Sequence, residues 1–187
     1  MHDTPIDIAR WPSPKLRARI AGFFYLITFV AGVFSLKLTS GKLAADLTAD
    51  VAYVAVTVLL YGIFKPVNRN ISLIAALISF VGIANGTLTA LHRSLFPMNP
   101  LVFFGFYCSL IGYLILRSAF LPRVLGVLMA LGGLGWLTFA SPSLSHALYP
   151  YNLAPGIIGE GALTLWLLAV GLNEQRWNEQ NASVRQG

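Results

Sequence analysis

Residues 70–91, NISLIAALISFVGIANGTLTAL, carry no formal charge over 22 positions, and this stretch decides the fold class. An α-helix rises about 1.5 Å per residue, so about 20 apolar residues cross the hydrocarbon core of a bilayer. The stretch therefore predicts a transmembrane helix. The whole chain agrees, because 56% of its residues are hydrophobic and only 11% are charged, which is too apolar for a soluble domain of 187 residues.

Five further apolar segments accompany this stretch, and their lengths also suit membrane helices. They lie at residues 20–36, 43–64, 101–116, 124–141 and 154–172. The uncharged part of the second segment, residues 51–64, is too short to cross the membrane, so that helix must begin near Leu43. We therefore predict an all-α protein, an integral membrane bundle of six transmembrane helices.

The 13 Lys and Arg residues predict which side of the membrane each end occupies. Ten of them lie before the first segment, between the second and third, between the fourth and fifth, or after the last. The three in the alternate gaps are Lys37, Lys42 and Arg93. Basic loops stay cytoplasmic, so we expect a cytoplasmic N-terminal segment 1–19, a transmembrane domain 20–172 and a cytoplasmic tail 173–187.

Several classes of function are disfavoured by composition. The net charge of +6 comes from short flanks beside apolar segments rather than from one patch, which favours anionic lipid headgroups over nucleic acid as the partner. The single cysteine, Cys108, excludes two-cysteine redox chemistry. Neither a Gly-rich phosphate cradle nor a convincing serine-protease motif is present, and the sequence identifies no cofactor and no oligomeric state.

The most informative polar residue is Glu160. It lies six residues from the outer end of the last segment, so about 9 Å deep, and Asn85 lies at a similar depth in the third segment. A carboxyl group there must be protonated, paired or beside water. It either serves function or is a neutral group that hydrogen-bonds Asn85 or Tyr107 to hold helices together.

Other polar residues are expected near the same layer. Asp46 and Asp50 are spaced i, i+4 and share one helical face, although the positive end of their helix dipole also explains acids there. His92 and Arg93 end the third helix, and Cys108 and Trp136 fall near the depth of Glu160. The predicted ligand-binding layer consists of Glu160, Asp50, Asn85, Tyr107, His92, Arg93 and Asp46.

Metal binding is a weaker alternative. The ligand types are present in Asp46, Asp50, His92, His146 and Glu160, but their spacing matches no fixed ligand motif. We therefore predict no metal site.

Four stretches resemble a known family. They are residues 16–26 (LRARIAGFFYL), 104–118 (FGFYCSLIGYLILRS), 121–126 (LPRVLG) and 159–168 (GEGALTLWLL). Together they are similar to the prokaryotic integral-membrane family named domain of unknown function 4386. The resemblance implies a multi-pass protein of the bacterial cytoplasmic membrane and places Glu160 inside a family-like motif, but it implies no activity.

The function that these observations favour is binding or permeation of a small lipophilic or ionic ligand through an outward-facing polar layer in the bilayer. Two alternatives stay open. A membrane enzyme acting on a lipid or quinone would need two proton-transfer groups, for which Glu160 and His92 are the candidates. A packing or assembly subunit would need no chemistry at all.

Overall fold

The computed structural model describes residues 12–37 and 40–186, and all regular structure in these residues is helical. The main helices are α1 (Pro14–Lys37), α2 (Lys42–Phe64), α3 (Arg69–Ala90), α4 (Leu101–Arg117), α5 (Arg123–Leu137), α6 (Pro142–Leu148), α7 (Leu153–Ala169) and α8 (Glu174–Gln186). A short 3₁₀ turn, Thr138–Ala140, extends α5. The predicted all-α class is therefore confirmed for the described residues.

Each of the six predicted segments contains a helix, but their lengths differ. Four helices, α1, α2, α3 and α5 with its 3₁₀ turn, are long and apolar enough to cross a membrane. Helix α7 reaches that length only with α6, from which it is bent by 80°, and α4 has 17 residues. The described chain thus has four or five candidate spans, and the number six stays a prediction.

The helices pack as a closed ring. Contacts run in order from α1 through α2, α3, α4 and α5 to α7, and α7 returns to α1. Large side chains such as Tyr25, Leu60 and Met129 fill the middle, whereas Val51 and Leu165 are among many apolar side chains exposed on the outside. An apolar exterior is what a bilayer solvates, so the packing agrees with the membrane interpretation.

Glycines determine how closely α4, α5 and α7 approach. A Cβ atom on Gly112 would lie 2.8 Å from the Gly126 carbonyl oxygen, and one on Gly105 would lie 2.9 Å from that of Gly133. Gly156 of α7 faces the indole ring of Trp136. Helices α4, α5 and α7 therefore pack tightly, since small residues let membrane helices come together.

The end of the bundle predicted to be cytoplasmic is covered by α8, which occupies most of the segment predicted as a tail. The Trp177 side chain is buried and its indole nitrogen donates to the carbonyl oxygen of Ile63 at 2.8 Å. The backbone N–H of Asn173 donates to the Phe120 carbonyl at 3.1 Å. Helix α8 is thus attached to the C-terminal end of α2 and to the α4–α5 connection.

Candidate functional site

Glu160 lies at the centre of the ring and is hydrogen-bonded to three other helices. Its Oε2 accepts from the Tyr25 hydroxyl of α1 at 2.8 Å and from the Tyr53 hydroxyl of α2 at 3.4 Å. Its Oε1 accepts from the Trp136 indole nitrogen of α5 at 2.7 Å. The side chain is only 8% exposed. We call these four residues the Glu160 cluster.

Local sequence explains why these side chains meet. Ala18 and Ala21 precede Tyr25 on the inner face of α1 and are fully buried, so the small residues let α1 sit close and leave room for the tyrosine. Gly156 lies one helical turn before Glu160 and leaves space for the Trp136 ring. The backbone at Gly156 thus positions the indole beside the carboxyl group.

The surroundings of the cluster are aromatic and uncharged. The Tyr53 ring packs against Tyr25 and Tyr107 with centroid distances of 5.5 and 5.8 Å, and the buried Cys108 thiol lies near Glu160. No ion pair to Glu160 occurs within residues 12–37 and 40–186. Both carboxyl oxygens therefore accept hydrogen bonds from hydroxyl or indole donors.

Asn85 does not meet Glu160, contrary to the depth argument. Its Oδ1 accepts from the backbone N–H groups of Leu95 and Phe96 at 3.1 and 3.0 Å, and its Nδ2 donates to the Met98 carbonyl at 3.1 Å. Asn85 is fully buried because the connection between α3 and α4 folds over it. The Asn85 side chain points to this connection instead of to Glu160.

Tyr107 also remains outside the hydrogen bonds of Glu160. Its side chain is 1% exposed, and its hydroxyl has no hydrogen-bond partner within the described part of the chain. The hydroxyl lies beside Thr57, whose Oγ1 is 2.7 Å from Ser79 Oγ. Tyr107 is therefore close to the cluster through its ring, while its polar atom is unused.

The remaining predicted residues gather elsewhere, at the opposite end of the bundle from α8. Asp50 Oδ2 accepts from the Thr87 hydroxyl at 2.5 Å. Asp46 accepts from the Ser35 hydroxyl and forms an ion pair with Lys42 at 2.7 Å. These aspartates belong to a second polar region, separate from the contacts of Glu160.

A groove of about 810 Å³ opens at this second region, between α2, the end of α3 and the start of α4. We call it the acidic groove, and its polar lining includes Lys42, Asp46, Asp50, Thr89, His92 and Asn99. His92 has a left-handed backbone, φ 60°, where α3 ends and the chain turns. Glu160 does not line this groove.

Three possible combinations of these polar residues are not formed among the described residues. Arg93 is exposed, and no ion pair joins it to Asp50 or Glu160 in the described residues. His92 is exposed in the groove and is absent from the hydrogen bonds of Glu160. His146 lies exposed on α6. Within the ranges that the structure describes, no three His, Cys, Asp or Glu residues converge as a metal site would require.

Tyr25 and Tyr53 are the site residues that sequence reasoning missed. Tyr53 carried a usable signal, since it follows Asp50 by three positions and Asp46 by seven and so shares their helical face. Tyr25 follows two alanines on an apolar helix, a pattern that does not distinguish an interior tyrosine from one at the lipid interface. Trp136 was expected at the depth of Glu160, and its bond to Glu160 confirms that expectation.

Comparisons with known proteins agree with the resemblance. Residues 83–171 match the family described as "Domain of unknown function (DUF4386)", so the predicted resemblance is confirmed over that part of the chain. An uncharacterized protein from Archaeoglobus fulgidus is 29% identical over 130 residues, covering 63% of this chain and 76% of that protein. No solved structure matches the chain significantly. The family match includes Glu160 and Trp136, whereas Tyr25, Tyr53 and both groove aspartates precede it.

Proposed function

We propose that this multi-pass membrane protein binds a small cation or small cationic molecule from the outer side of the bacterial cytoplasmic membrane. The observation that carries the proposal is the acidic groove, whose volume of about 810 Å³ falls within the usual size of ligand pockets, about 300–1,000 Å³. With six spans and cytoplasmic termini, the groove opens on the outside. The lipid bilayer contacts the exposed apolar side chains on the outside of the bundle.

The charges in the groove favour a cation. Lys42 and Asp46 offset each other as an ion pair, so Asp50 is the carboxylate without a cationic partner among the described residues. Thr87 is the donor that holds it. A carboxylate in a partly buried groove attracts cations more strongly than one in bulk water, because the surroundings screen the charge less.

Binding is better supported than an open pathway. Below the groove, the Tyr53 ring packs against Phe104 at a centroid distance of 4.9 Å and against Tyr25 and Tyr107. These rings fill the middle of the bundle. Passage of a molecule would therefore need the helices to move, whereas binding in the groove needs no such change.

The two alternatives have less support. An enzyme built on Glu160 and His92 would need both side chains at one substrate, but one is buried in the cluster and the other is exposed in the groove. The only support for an assembly subunit among the described residues is the set of hydrogen bonds that Glu160 makes to other helices. The assembly hypothesis gives no role to the acidic groove.

The test is thermal unfolding of the purified protein with sodium, potassium, guanidinium and choline chlorides as separate probes at matched ionic strength. A bound probe at about 100 times its Kd stabilises by about 2.7 kcal/mol. We expect at least one probe to raise the unfolding temperature of the wild type and to lose that effect in Asp50→Asn. Glu179→Gln is the control, because it removes an exposed acid from α8, away from the groove. Equal shifts in the wild type and Asp50→Asn, or no shift with any probe, would refute the proposal.

A further inference from the structure

One face of α2 is polar from the acidic groove to the middle of the bundle. Asp46, Asp50, Tyr53 and Thr57 follow one another at intervals of four, three and four residues, so they lie on one side of the helix over about 16 Å. Asp46 and Asp50 line the groove, and the Tyr53 hydroxyl reaches Glu160. A single helix face therefore connects the two polar regions.

The material between these regions excludes most ligands from the interior. The Tyr53 ring is enclosed by aromatic neighbours, and Glu160 lines neither of the two cavities found beside α2. A proton differs from every other ion, because it moves along hydrogen-bonded groups and needs no open cavity. Hydroxyl groups are suited to this transfer, since each can donate one proton and accept another.

We propose that Glu160 is a proton-exchange site supplied from the acidic groove through Asp50 and Tyr53. This inference rests on the proposed function only in using the same groove as the entry point. In one transfer, Tyr53 Oη passes its proton to Glu160 Oε2 and receives one from the Asp50 carboxyl group through intervening water, because no direct hydrogen bond joins Asp50 to Tyr53 among the described residues. One O–H bond is broken on Asp50 and one is formed on Glu160, with no change in oxidation state. The reverse sequence returns the proton to the groove.

The groups that face Glu160 fit this role. Tyr25 of α1 and Tyr53 of α2 donate to Oε2, Trp136 of α5 donates to Oε1, and α4 contributes Cys108. Tyr107, also from α4, is adjacent through the Tyr53 ring. Within the described chain no Lys, Arg or His pairs with this carboxyl group, so its charge is free to change without breaking an ion pair.

The test is time-resolved infrared spectroscopy of the protein in lipid nanodiscs after a pH jump. We expect a carboxylic-acid band that Glu160→Gln removes and Glu179→Gln retains. Tyr53→Phe and Asp50→Asn should slow the appearance of that band by about tenfold or more, which corresponds to about 1.4 kcal/mol of barrier. Tyr107→Phe is the matched control, because it removes a neighbouring hydroxyl without a hydrogen-bond partner and should leave the rate unchanged.

Each other outcome counts against the proposal. A wild-type spectrum without a band that depends on Glu160 would overturn the exchange site. Equal rates in Tyr53→Phe, Tyr107→Phe and the wild type would overturn the route, and this comparison remains valid if Glu160→Gln does not fold. The result is separable from the proposed function, because cation binding is read from unfolding temperatures and proton exchange from the infrared band.

Discussion

Tyr25 and Tyr107 are both buried tyrosines in the bundle interior, but only Tyr25 uses its hydroxyl. Tyr25 donates to Glu160 Oε2 at 2.8 Å, whereas the Tyr107 hydroxyl has no partner among the described residues. Phenylalanine at either position keeps the ring and removes one oxygen. The same chemical deletion should therefore have different effects on the free energy of unfolding.

The magnitudes follow from the hydrogen bonds that remain. In Tyr25→Phe, Oε2 retains only the Tyr53 hydroxyl at 3.4 Å. Interhelical hydrogen bonds in membranes contribute about 0.6 kcal/mol on average and at most about 1.7 kcal/mol. The 2.8 Å distance and the carboxyl acceptor place this bond at the upper end, so we expect a loss of about 1–1.5 kcal/mol. Tyr107→Phe should be neutral or stabilise by up to about 1 kcal/mol, because it removes an unsatisfied buried group.

The assay is reversible unfolding in mixed micelles titrated with a denaturing detergent. A double-mutant cycle of Tyr25→Phe with Glu160→Leu isolates the interaction, because leucine has no acceptor for the Tyr25 hydroxyl, and we expect a coupling energy of about 0.6 kcal/mol or more. If Tyr107→Phe destabilises as much as Tyr25→Phe, or if the coupling is zero, the assignment of the hydrogen bonds in the Glu160 cluster is refuted.

Three further predictions address the bundle and its orientation. Gly112→Ala should destabilise the bundle by about 1–3 kcal/mol in the same unfolding assay, because the added Cβ would lie 2.8 Å from the α5 backbone. Gly161→Ala is the control and should be neutral or slightly stabilising, because the space around Gly161 is open. Trp136→Phe should cost about 1 kcal/mol by removing the donor to Oε1, and equal stability to the wild type would contradict that contact. A reporter fused after Gly187 should read cytoplasmic and one inserted near Ser143 external, and the opposite signals would overturn the orientation.

The helices could be read from the sequence because their signal is local. Apolar length and the alternation of basic flanks are properties of short segments, and each of the six segments does contain a helix. Span number was harder to predict, because α4 has 17 residues and α7 is bent away from α6 by 80°. Hydropathy along the chain does not register such a bend.

The sequence could place site residues along a helix axis but could not say which way their side chains face, because counting residues gives no information about rotation of the helix. Trp136 and Asn85 were both placed near the depth of Glu160, yet Trp136 faces the carboxyl group and Asn85 faces the backbone of residues 95–98. Asn85 faces this backbone because the α3–α4 connection folds over it. No periodicity in the sequence contains that information.

The position of Glu160 in the ring connects its structural contacts with the proposed proton exchange. Its bond to Tyr25 joins residues 135 positions apart and lies where α7 meets α1, the contact that closes the ring. The same bond joins the family-matched part of the chain to the helices that precede it. A carboxyl group that gains a proton loses acceptor capacity and becomes a donor, so the pattern of hydrogen bonds across this closure must change.

If Glu160 exchanges a proton as proposed, the contact between α1 and α7 is therefore the part of the bundle whose stability depends on that exchange. Measuring the Tyr25–Glu160 coupling energy at two pH values on either side of the infrared transition tests this link directly, and a coupling that is the same at both would show that ring closure and proton exchange are independent.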